Sequence, residues 1–156
     1  YLANATDGLI NTYFTNSGNV GIGTTTPGSK LDVSGTANIS TSVTSPIYNT
    51  TNGAITSATL TTSATTAGQV VDSVAIATAR TVKYLVSVTS GTSYQCSEII
   101  LIHDGTTAYI SEYGTILTGS SLATFDASIV TSNLQLLVTP TNAVTTIKVI
   151  RTIVNV

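Results

Sequence analysis

Hydrophobic residues along this chain are spaced for strands, and their density changes near Gly68. Before that point single apolar residues such as Ile10, Val20, Ile22, Leu31, Val33, Ile39, Val43 and Ile47 stand in a background of Gly, Ser, Thr and Asn. That is too sparse to close a core within one chain. Leu31-Asp32-Val33 and the run Ile55 to Leu60 read as short strands, with turn chemistry at Ser34-Gly35 and Asn52-Gly53. A thin polar β segment of this kind is completed by partner chains; the alternative is a linker. From Gln69 onward the pattern predicts about eight strands punctuated every 8–12 residues, the spacing of a sandwich or barrel. They are Val70–Ala77, Thr81–Thr89, Tyr94–His103, Thr107–Tyr113, Thr115–Thr118, Leu122–Ile129, Leu134–Thr139 and Thr145–Asn155. Val82, Tyr84, Val86 and Val88 share one face of their strand while Lys83 and Ser87 fall on the other. Asp104-Gly105 is a hairpin signal, because glycine supplies the positive φ of a tight turn. The expected organisation is an extended stalk over residues 1–67 and an antiparallel β-sandwich over residues 68–156.

Composition sharpens this picture. Only 8% of the 156 residues are charged, against about 25% in a typical soluble domain. Ser and Thr make up roughly a third of the chain, and the scarcity of straight-chain helix formers favours pleated strands. A hydrophobic content of 42% argues for a buried core rather than disorder. The net charge of −2 and the absence of a basic cluster exclude a polyanion-binding footprint, so nucleic acid is not an expected partner. No window approaches the 18 consecutive apolar residues of a membrane span, and no insertion is expected. Cys96 is the only cysteine; it is expected as a small buried apolar residue. With no Met and Tyr1 first, the chain reads as a piece of a longer polypeptide.

Asn19-Val20-Gly21-Ile22-Gly23-Thr24-Thr25-Thr26-Pro27, followed by Lys30-Leu31-Asp32-Val33-Ser34-Gly35-Thr36-Ala37, resembles the stretch NVGIGT-x-x-P-x-x-KLDVSG of bacteriophage tail fibres and related virion appendages. It differs from a phosphate cradle, since neither the third glycine of a dinucleotide fingerprint nor Gly-Lys-Ser/Thr follows Gly23. The physical use expected of Gly21 and Gly23 is close approach between neighbouring chains, with Val20 and Ile22 directed to a common axis and Leu31 and Val33 packing beside them. The stretch Glu98 to Thr107, with Glu112-Tyr113-Gly114-Thr115 and the ending Thr145–Val156, is similar to the end domain of structural proteins of marine and cyanobacterial tailed phages. In many such fibres the stalk motif precedes a self-cleaving chaperone; here a β pattern follows it. The resemblance implies an all-β homotrimer with a short intertwined stalk and a distal sandwich, located on the virion. Its partners would be copies of itself, other virion proteins, and a host surface glycan or protein.

Few residues suit catalysis. His103 is the only histidine, and Asp104 beside it points to the opposite strand face, so a Ser-His-Asp arrangement is poorly served and His103 is expected as a hairpin-turn residue. One Cys and one His provide no transition-metal set, and the scattered Asp7, Asp32, Asp72, Asp104 and Asp126 no calcium cage. No metal or cofactor is expected. Glu112 shares parity with Ala108 and Ile110, so burial and an ion pair with Arg80 or Arg151 are expected. A glycosidase pair would need Glu98 or Asp126 near Glu112. Tyr94, Tyr109 and Tyr113 are the candidates for a recognition surface, because tyrosine offers flat amphipathic area; the alternative is that they pack within the sandwich or between chains. Glycosylation triplets at Asn4, Asn38 and Asn49 are matches that a Thr-rich chain produces by chance. The expectation is a non-enzymatic fibre protein contributing to host attachment. A carbohydrate-binding recognition module and a head or neck decoration fibre are the alternatives.

Overall fold

The computed structural model describes residues 2–3, 10–16, 18–40 and 42–156, the side chains of residues 2–3 and 10–14 excepted. Asp7 and the triplet at Asn4 lie outside the described residues. The chain divides into two compact units, Tyr1–Thr44 and Ser45–Val156. No helix occurs among the described residues; the protein is all-β.

The first unit is a four-stranded sheet of β1 (Leu2–Ala3), β2 (Ile10–Phe14), β3 (Val20–Ile22) and β4 (Leu31–Val33), in that order. β3 pairs antiparallel with β2 and parallel with β4. Parallel neighbours usually need a crossover of a dozen or more residues, yet only residues 23–30 separate β3 from β4. Backbone bonds close this short path at both ends, Val20 N to Lys30 O at 2.8 Å and Ser34 N to Ile22 O at 2.8 Å. Within it, Gly28 N donates to Asp32 Oδ2 at 2.9 Å and Asn19 Nδ2 to Pro27 O at 3.3 Å.

The second unit is an antiparallel sandwich. One sheet has six strands in the order β10-β9-β8-β13-β6-β5: Ala108–Leu117, Ser93–His103, Ala79–Ser90, Thr146–Asn155, Gly53–Thr61 and Ile47–Thr50. The other has three, β11 (Ala123–Val130), β12 (Asn133–Pro140) and β7 (Gln69–Ala75), in that order. The alternation seen in the sequence sets the inner faces. Val82, Tyr84, Val86 and Val88 of β8, with Ile99 and Leu101 of β9 and Ile147 and Val149 of β13, close on Val74, Leu134, Leu136 and Val138 of the smaller sheet. Fully burying each such side chain stabilises by about 1.5–3 kcal/mol before ordering costs. A polar bridge also joins the sheets. Asp72 of β7 accepts the Tyr84 hydroxyl at 2.9 Å and pairs with Arg151 Nη1 at 2.6 Å. A register shift in β7 between Asp72 and Val70 lets both Val71 and Asp72 serve the interior. The buried Gln95 amide is satisfied by Leu122 N, Ala123 N and Ala123 O.

Several expectations are corrected here. Ile55–Leu60, assigned to the stalk, belongs to β6, which is hydrogen-bonded along its length to β13 in the sandwich, and the compact unit begins at Ser45 rather than at Gly68. The inward residues of β6 are Ala54, Thr56, Ala58 and Leu60, mostly small, while Ile55 faces outward, so hydrophobic density understated its burial. Thr107–Tyr113 and Thr115–Thr118 form one strand, β10, interrupted by a register shift at Gly114 with φ of 64°. Cys96 is half-buried on the outer face rather than in the core, in phase with Tyr94 and Glu98. Among the described residues Glu112 makes no ion pair, because the smaller sheet leaves β10 exposed. It is exposed and accepts Ser97 Oγ at 2.6 Å and Thr115 Oγ1 at 3.1 Å, while Arg151 goes to Asp72 and Arg80 donates to His103 O at 3.2 Å. His103 is buried at the end of β9 rather than in the turn.

Candidate functional site

Strand parity puts Tyr94, Tyr109 and Tyr113 on one surface, the outer face of the six-stranded sheet. Tyr109, Ser111 and Tyr113 of the edge strand β10 stand opposite Ile102, Ile100 and Glu98 of β9, and Tyr94 opens β9 on the same face. All three tyrosines are exposed. With about 3.3 Å per residue, Tyr109 and Tyr113 are about 13 Å apart along the edge, so they form a line rather than a cluster.

The neighbours of two of them are fixed. Asp104, at the first position of the β9–β10 turn, accepts Thr106 N, Thr106 Oγ1 and Thr107 N on Oδ1, each at 2.8 Å, and the Tyr109 hydroxyl on Oδ2 at 3.1 Å. The backbone donors of Thr107 and Thr106 hold its carboxyl well below the usual carboxylate range. The hydrogen bond to Asp104 in turn raises the Tyr109 hydroxyl above its ordinary value. The Lys83 ammonium pairs with Glu98 at 2.7 Å and lies 5.9 Å from the Tyr113 ring centre. That ion pair raises Lys83 and lowers Glu98. The tyrosine edge is thus held by the turn at one end and by a charge pair farther along.

The remaining candidates do not converge. Glu98 is on the outer face of the larger sheet, Glu112 on the opposite face of that sheet, and Asp126 on the outer face of the smaller one, so no two share a groove within this chain. His103 Nε2 lies 2.8 Å from Ala79 O, which places the proton on that nitrogen, and buried Nδ1 has no partner among the described residues. Among the described residues no three of His, Cys, Asp and Glu come together as a metal set.

In the first unit, Val20 and Ile22 share a face with Leu31 and Val33 through the parallel register. Val20 and Val33 are half-buried, whereas Ile22 and Leu31 are exposed. The glycines make their close approaches within the chain. A Cβ on Gly21 would collide with Thr24 O, and one on Gly23, with φ of 73°, would sit 2.6 Å from Ser34 O.

No protein-family model and no curated protein matches the chain. Among solved structures it is similar to the tailspike protein of Acinetobacter phage vB_ApiP_P1, with 18% identity and a TM-score of 0.42 over 78% of this chain and 25% of that one. It is also similar to the tailspike protein gp49 of Acinetobacter baumannii bacteriophage Fri1, a capsular polysaccharide depolymerase, with 12% identity and a TM-score of 0.40 over 78% of this chain and 24% of that one. The chain spans about a quarter of the length of either tailspike.

One feature of the outer face escaped sequence reasoning. A shallow depression of about 500 Å³ lies on it, lined by Leu85, Ser87, Cys96, Lys148, Ile150 and Ser57 among others. The signal was present: Leu85 shares parity with Lys83 and Ser87, and Ile150 falls between Lys148 and Thr152 on the face an alternating pattern leaves to solvent.

Proposed function

We propose that the chain is a structural component of a bacteriophage tail fibre or similar virion appendage, homotrimeric, with the sandwich contributing to host attachment. The observation that carries this reading is the fibre-like stretch from Asn19 to Ala37. It folds into a strand, a tight loop and a parallel strand whose glycines fit its own backbone, and it leaves Ile22 and Leu31 exposed on one face. Neighbouring chains would supply the missing layer. The role is mechanical and adhesive rather than catalytic: strand ladders carry load, and the sandwich meets other virion proteins or the host surface. Light scattering of residues 1–156 tests it. A mass of three chains is expected, and a monomer at every concentration would overturn it. Purified chain that lowers the viscosity of host capsule would overturn the non-catalytic assignment.

A second reading, a carbohydrate-binding recognition module, is favoured by the exposed tyrosine edge and by the Asp104 turn that fixes Tyr109. Under it, Tyr109→Ala and Tyr113→Ala abolish retention on immobilised host polysaccharide while the melting temperature is unchanged. Immunogold labelling of virions with antibody to the sandwich separates a tail site from a head or neck decoration fibre.

A further inference from the structure

The sandwich presents two outer faces that differ in extent and in how many large aliphatic residues they expose. On the smaller sheet the outward positions are mostly polar, Thr124, Asp126, Ser128, Asn133, Gln135 and Thr139, with Val70, Val130 and Leu137 among them. On the larger sheet they include Ile55, Leu85, Ile102, Ile150 and Val154, of which Leu85 is 48% exposed and Ile150 53%. Leu85 and Ile150 are direct cross-strand neighbours, and exposed aliphatic residues gathered on one face mark a binding surface. We infer that the outer face of the six-stranded sheet is the surface through which the sandwich packs on a second copy of this chain.

Three properties of the face select a copy as the occupant. Its size is right: β6, β8, β9 and β13 run nine to twelve residues, and with the flanking strands the face offers roughly 700–800 Å², about what each partner contributes to a stable interface. Its charge is right: Lys83 and Glu98 neutralise each other by direct pairing, and Lys148 is the remaining charged group among its described residues, so copies meet without strong repulsion. Its relief is right: Leu85 and Ile150, paired across β8 and β13, line the depression together with Ser57, Thr59 and Ser87, and it accepts aliphatic side chains and hydroxyl groups. The inference rests on the homotrimer reading for the number of copies, and it adds the surface each copy turns toward the shared three-fold axis, where it meets both of its neighbours.

The test uses the full chain and three proteins: wild type, Ile150→Lys with Leu85→Lys, and Ser128→Lys on the other outer face as a control. The first two sites are exposed, so the fold is expected to survive, checked by circular dichroism. Light scattering is expected to give the multimer for wild type and Ser128→Lys, and a single-chain mass for the double variant. A double variant that keeps the wild-type mass overturns the interface while leaving the homotrimer standing; a wild-type monomer overturns both. Cys96 supplies a readout that needs no variant. Its thiol, on the same face, is expected to react slowly with a maleimide in the wild-type multimer and faster on dilution to single chains. Equal reactivity in both states, or protection that persists in a monomer because another segment of the chain covers the face, overturns the assignment.

Discussion

No described side chain before Ser45 is buried, and the one buried residue there is Gly21; beyond it seventeen hydrophobic residues from Val71 to Ile153 close on one another. Both units draw on the same Thr, Val, Ile and Gly vocabulary, so the difference lies in arrangement. In the first, three-residue strands are held by ladder bonds and by glycines that let backbone lie against backbone, interactions that are each modest in net energy. In the second, β8, β9 and β12, of eight to twelve residues, keep alternation long enough to give two sheets a common interior. A β segment can therefore be specified by fit without being stable alone, and what it lacks is apolar area to bury.

The sharpest way to break the contrast is to strike the sandwich at its polar bridge. Asp72→Ala leaves the Arg151 guanidinium and the Tyr84 hydroxyl without their shared acceptor, and is expected to cost about 3–5 kcal/mol in urea unfolding. A loss under about 1 kcal/mol would mean that apolar packing alone holds the sheets together. The converse strike is Gly23→Ala. The positive φ and the 2.6 Å approach to Ser34 O are expected to cost about 2 kcal/mol, read as lost hydrogen-exchange protection of the Ser34 amide, with the sandwich melt unchanged.

Alkaline pH sharpens the comparison without mutation. Burial, then the Asp72 carboxylate, pushes the Tyr84 hydroxyl far above its ordinary value near 10. The folded sandwich keeps that proton while the unfolded chain gives it up. Stability from this group is thus complete below pH 10 and falls by about 1.4 kcal/mol per pH unit above it. Denaturation midpoints at pH 9 and 11 check this, and Tyr84→Phe should remove that part of the slope. The smallest effect is a gain. Thr131 and Ser132 form the β11–β12 turn with φ of 48° and 62°, a conformation suited to Asn-Gly. Thr131→Asn with Ser132→Gly is expected to add about 1 kcal/mol to the sandwich, seen as a higher melting temperature, and to leave the first unit as it was.

β8, β9, β12 and β13 were legible because each carries alternation over enough residues to fix a face, as Val82 to Val88 does, whereas β10 was divided in two at Gly114. β6 was assigned to the wrong unit because its inward positions other than Leu60 are alanine and threonine, whose burial depends on large residues opposite such as Val149 and Ile153. Which strands share a sheet was not legible, since sequence order does not encode that β13 lies between β8 and β6. Among the candidate residues, the common face of Tyr109 and Tyr113 followed from parity, and the place of Tyr94 on it needed the pairing of β9 with β10. The bond from Tyr109 to Asp104 did not, because it depends on how the turn folds back. The close fit of Gly21 and Gly23 to their own chain was hidden for the same reason: it needs the parallel return of β4.

The place of β13 also sets a timetable. Gly53–Thr61 reaches the rest of its sheet only through Thr146–Asn155, and the paired residues Thr61 and Thr146 are separated by 85 positions. At the usual pace of about 5–20 residues per second, a nascent chain carries that strand, paired with β5 alone, with its other edge open for roughly 4–17 s. The six-stranded sheet then completes only after Thr146–Asn155 has left the ribosome, and until that moment the growing polypeptide carries an open strand edge in place of a finished sheet.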